Sequence, residues 1–278
     1  MDEFIDNILN QLCAEELKCV KNIFVENDAN YLQRIKEIDP LQQATNTNLV
    51  QGIAITIHDK NKDSDIVIRE ELLQTLKESY SIVDDKLKVN KNFLPSFRII
   101  LHEVGHAKDF KEREIENIFF EESKGFHFKD YISVYAYKFK SEYFAEKFAV
   151  TKILNLINTY NPENYYCEKE QIKLESKRIK NEYYTNRDLR VLSNNVIEFG
   201  WQYFLYPMSR KLGAESAQSD ILSKKSDFLT TNNKLIEAIM EYGHSNLTNL
   251  LFDTFKSKMY EFGFRIECND EGDAIFIN

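Results

Sequence analysis

The chain has 278 residues, 43% of them hydrophobic, enough to bury one large core or two modest ones, and its four prolines and eight glycines form no linker that would separate domains. A net charge of −9 argues against a nucleic-acid partner, because a phosphate backbone recruits basic surfaces. No apolar run approaches the roughly 20 residues of a membrane span, and Met1–Leu12 carries acids where a signal peptide needs basic and then apolar residues, so a cytoplasmic location without a membrane partner is expected, export by another route staying open.

In chain order, Phe4, Ile5, Ile8, Leu9, Leu12, Leu17, Val20, Ile23 and Phe24 recur at helical spacing, so residues 3–38 are read as one or two amphipathic helices forming an N-terminal cap. Ile53, Ile55 and Ile57 alternate within Gly52–His58, a polar turn follows, and Ile66–Arg69 completes a predicted β-hairpin. Leu72, Leu73, Leu76, Tyr80 and Val83 mark the next helix. Pro95 and Ser96 then start a helix whose apolar face is Phe97, Ile99, Ile100, Leu101, Val104, Ala107 and Phe110. Glu114, Glu116, Glu121 and Glu122 lie in a charge-rich stretch and read as solvated acids. Residues 131–157 form a helix of nearly seven turns, and residues 168–184, with Glu and Lys at helical spacing, a solvated one. Asn194–Met208 holds the only tryptophan, Trp201, among Phe199, Tyr203, Phe204, Leu205 and Tyr206; such a cluster reads as core, with Pro207 ending or kinking the segment. A helical stretch over 232–262 and a small terminal hairpin, 264–266 with 274–277, complete the chain.

The chemistry is concentrated in His102-Glu103-Val104-Gly105-His106. Residues four apart share one face of a helix, so two imidazoles can converge on one tetrahedral zinc ion. Glu103, one residue round the helix, is placed to act as the general base for a water activated at that ion. Gly105, costly inside a helix, implies that something packs closely there.

A third protein ligand is required. Glu142 and Glu146 are again four apart on a helix bordered by core residues, and a buried carboxylate pair calls for a nearby cation. Glu142 is the ligand candidate; Glu146 either accepts the other ring N–H of a ligating histidine, fixing its tautomer, or is a solvated helix charge. His127 lacks the Gly-containing extension that recruits a third histidine, since Asp109 and Glu112 stand in its place, and reads as a surface or cleft residue. Cys167 has no companion motif. Cys13, Cys19, Cys167 and Cys268 are scattered and read as reduced thiols.

HEVGHAKDF followed by SVYAYKFKSEYFAEKFA resembles the catalytic domain of the anthrax toxin lethal factor family, a gluzincin group that includes the Pro-Pro endopeptidases. The resemblance spans His102–Ala149 and rests on HExGHAxD and on a tyrosine seven residues before a Glu that opens an E-[FY]-F-A-E-x-F block. It implies His102, His106 and Glu142 as ligands of one zinc ion, Glu103 as general base and Tyr135 as the phenol that stabilises the tetrahedral intermediate.

The expected fold is α+β, mostly helical: residues 1–50 an N-terminal helical region, 51–160 a zincin-like catalytic core with a small sheet, and 161–278 a mainly helical region ending in a hairpin. The expected activity is that of a zinc-dependent endopeptidase acting on a peptide or protein. Two readings stand beside it, a binding or regulatory protein on a zincin scaffold and a zinc hydrolase of a non-peptide amide. Substrate sequence and oligomeric state are not written in the motif.

Overall fold

The computed structural model describes residues 3–42, 52–59, 62–83, 86–113, 127–157, 160, 165–223, 226–241, 245–269 and 272–278. The protein is an α+β molecule, mostly helical, that packs as two compact units: Met1–Ile115 with Phe144–Tyr160, and Glu116–Tyr143 with Asn161–Asn278. The acidic stretch from Glu114 to Glu122 falls outside the described residues.

The first unit is built on a three-stranded sheet in the order β1 (Val20–Glu26), β3 (Ser64–Arg69), β2 (Ala54–His58). β2 and β3 form the expected antiparallel hairpin, with Thr56 opposite Ile66. Among the described residues β3 is the central strand, buried along its whole length, and β2 lies at an edge. Alternation sends Ile66 and Ile68 into a core with Ile5 and Leu9 of α1 (Glu3–Leu17), Leu72, Leu73 and Leu76 of α3 (Glu70–Glu78), and Phe97, Ile100, Leu101 and Val104 of α4 (Phe93–Glu112). Val67 and Ile57 point the other way, onto Tyr31 and Ile35 of α2 (Asp28–Ile38). Each such aliphatic side chain contributes about 1.5–3 kcal/mol on burial.

Two stretches differ from the sequence expectation. Val20, Ile23 and Phe24, read as helix, lie in β1, which pairs in parallel with β3. Valine, isoleucine and phenylalanine favour strands, but the pairing partner lies some forty residues on, where no local spacing announces it. Tyr80 and Val83, read as continuing α3, lie instead in β4 (Tyr80–Val83), which pairs with β5 (Lys86–Val89) after Ser79 closes the helix by donating its hydroxyl to the Leu76 carbonyl.

α4 starts two residues before Pro95, leaving proline in the first turn, where its missing N–H costs nothing. α5 (Phe128–Ile157) passes from one unit to the other, and its residues 145–153 pack on α4 through Ala149 and Ile153. The contact is closest at Gly105: a Cβ built there would lie 2.8 Å from Ala145 Cα and 2.9 Å from its carbonyl oxygen. Since the obstacle is backbone, it cannot swing aside. Gly105→Ala is therefore expected to lower stability by about 1–2 kcal/mol, overpacking outweighing the gain in helix propensity. Urea unfolding should show a reduced midpoint at unchanged slope; a variant as stable as the parent would refute this close approach.

The second unit holds α6 (Lys169–Asn186), α7 (Leu189–Gly200), α8 (Tyr206–Leu222), α9 (Asp227–Thr231), α10 (Asn233–Met240), α11 (Ser245–Glu261) and the hairpin β6–β7 (Phe264–Asn269, Gly272–Ile277). The aromatic cluster is core, as its composition predicts: Phe199 meets Tyr203, Phe204, Phe262 and Phe264. Pro207 does not end the helical course, which is irregular just before it. It enters the first turn of α8 behind a π-helical turn, Trp201–Leu205, whose i→i+5 spacing leaves the proline ring room that an uninterrupted α-helix would deny it. Among the described helices none is long and apolar enough to cross a membrane, and the four cysteines are free thiols.

Candidate metal centre

His102 and His106 leave α4 one turn apart on a face otherwise committed to the core, which is why both rings are partly or wholly withdrawn from water. The imidazoles stand nearly perpendicular, at 89°, with centroids 4.6 Å apart. Glu142 on α5 completes a triad in which each residue offers one ligand atom, all within 4.8 Å of one another. Ligands on a tetrahedral ion at zinc distances are separated by roughly 3.3 Å, a spacing of the same order. No other His, Cys, Asp or Glu group among the described residues offers such a cluster.

Behind the triad lies a buried ionic chain. Glu146 is fully buried, with one carboxylate oxygen 3.0 Å from Nδ1 of His102 and the other accepting a hydrogen bond from the Arg98 guanidinium. Arg98 stands one helical turn before His102 and is itself buried. A carboxylate this near Nδ1 attracts the ring proton to that nitrogen, which would leave Nε2 as the donor to an ion. Arg98 offsets the charge of Glu146, as a buried carboxylate requires. Donor set and burial fit a metal ion.

Glu103 is buried on α4, and its Oε2 lies 2.7 Å from the hydroxyl of Thr56, which is also 2.9 Å from the Glu103 carbonyl. Further along, His58 of β2 stacks on Phe110 of α4 at 3.9 Å, so one face of the edge strand runs beside the motif helix.

Tyr135 lies on α5 seven residues before Glu142, close to two turns, and so on the same side of that helix. Its ring stacks on Trp201 at 4.8 Å and 7°, and its hydroxyl donates to Glu198 Oε1 at 2.8 Å. Burial, reinforced by the Glu198 carboxylate, pushes the phenol pKa well above its ordinary value, which keeps it a neutral donor. His127 sits at the start of α5 with Nδ1 3.5 Å from Asp273 of β7, whose other oxygen accepts the Phe128 N–H; Cys167 is exposed. Neither joins the triad.

Thr56, Arg98 and Glu198 were not singled out from the sequence. Arg98 had a signal, a lone cation within an apolar helical face four residues before a ligand candidate. Thr56 and Glu198 had none, because only folding brings them to their partners.

No family model, no curated protein and no solved structure matches the chain.

Proposed function

We propose that the protein is a zinc-dependent endopeptidase. The observation that carries the reading is the convergence of His102, His106 and Glu142, with the buried carboxylate of Glu103 on the same helix as both histidines. Two imidazoles and one carboxylate are a ligand set typical of catalytic zinc, leaving a position open to water.

Zinc held there would lower the pKa of a coordinated water towards neutrality and polarise the scissile carbonyl. Glu103 takes the proton of the attacking water and returns it to the leaving amine, an exchange that a carboxylate held out of bulk solvent performs well. Tyr135 supplies a hydrogen bond to the oxygen that becomes negative, stabilising the transition state more than the bound substrate. In doing so its hydroxyl exchanges Glu198 for the substrate. The edge strand β2 beside α4 offers main-chain groups on which an extended peptide can pair.

The test is digestion of a mixed peptide library by the zinc-loaded protein, followed by mass spectrometry. New termini that appear with zinc and vanish with a chelator are the expected result. A protein that binds zinc and cuts no peptide would overturn the reading in favour of a binding role.

A further inference from the structure

Thr56 occupies a position where a hydroxyl needs a reason. Its strand neighbours Ile55 and Ile57 face the apolar cluster around Tyr31 and Ile35, so alternation turns Thr56 the other way, towards α4, where it is largely buried. Burying a hydroxyl is unfavourable unless it is bonded. Its single hydrogen has two acceptors in reach, Glu103 Oε2 at 2.7 Å and the Glu103 carbonyl at 2.9 Å. The carboxylate is the stronger of the two because a charged acceptor strengthens the bond, whereas the carbonyl lies inside α4 and serves that helix.

The two partners differ in stiffness. Thr56 is β-branched, with few rotamers, and its backbone is pinned by pairing with Ile66 of the central strand. Glu103 carries a long side chain whose carboxylate must be held to a fraction of an ångström to accept a proton efficiently. A rigid hydroxyl touching one carboxylate oxygen restricts that freedom.

We infer that Thr56 is a positioning residue: it aims the Glu103 carboxylate from the edge strand, so that the strand offered to a peptide and the group that moves the proton keep one fixed relation. The catalytic consequence rests on the peptidase reading above.

The experiment uses the full, zinc-loaded chain. Thr56→Val keeps the shape and removes the hydroxyl; kcat should fall on the order of 10- to 100-fold, with KM and zinc content as in the parent. Thr56→Ser should restore most of the loss, which a purely structural role for the threonine methyl would not. Parental kcat in Thr56→Val would overturn the inference while leaving the peptidase reading intact. A second measurement needs no turnover: a double-mutant cycle of Thr56→Val and Glu103→Ala in urea unfolding should be non-additive, because the two groups touch. Additive losses would overturn the inference even in a protein that cleaves no peptide, an outcome that separately rejects the peptidase reading.

Discussion

Glu103→Gln should leave zinc bound at one ion per chain and lower kcat on the order of 10³-fold. The substitution is nearly isosteric, and the amide oxygen can still accept from the Thr56 hydroxyl, so packing around this buried side chain is preserved. What disappears is the capacity to take a proton. Because Glu103 lies outside the ligand triad, metal content should not change. Loss of turnover at full zinc occupancy separates this residue from the ligands; a variant that cleaves at the parental rate removes Glu103 from the mechanism.

Metal retention should fall in a graded series when Glu142 and Arg98 are changed. Glu142→Ala deletes one of the three candidate ligands and leaves only the histidine pair. Zinc should then be lost on dialysis under conditions where the parent keeps it, an effect larger than the 10- to 100-fold typical of an outer-sphere change. Arg98→Met keeps the apolar stem of the side chain but withdraws the cation bonded to the buried Glu146 carboxylate. Its zinc affinity should fall about 10- to 100-fold, with a loss of stability that the Glu142 variant does not share. Competition with a chromophoric chelator measures both. Full zinc occupancy in dialysed Glu142→Ala would identify the wrong third ligand; affinity unchanged in Arg98→Met would reduce the arginine to a structural ion pair.

The candidate ligand triad was legible because the information is local. His102 with His106 and Glu142 with Glu146 are each four apart, and a helix converts that spacing into one face without help from the rest of the chain. The long helices, the β2–β3 hairpin and the terminal hairpin were readable for the same reason, and Gly105 announced a close contact through its cost in a helix.

What failed to show was non-local. The strand β1 carries spacing that also fits a helix, and only its parallel partner β3 settles the choice. A helix-like run of leucines continued on paper through Tyr80 and Val83, where the chain turns into a hairpin instead. The π-helical turn before Pro207 has no sequence periodicity of its own.

The sequence by itself determined which side chains share a helix face and can converge on one ion, because a helix fixes the geometry of residues one turn apart. Only the tertiary structure decided that Ala145 presses on Gly105, that Arg98 and Glu146 back His102, and that Thr56 on β2 reaches Glu103. The reason is that these contacts join residues about forty or more positions apart, and their partners are selected by the packing of a sheet and two helices, which no short stretch of the chain encodes.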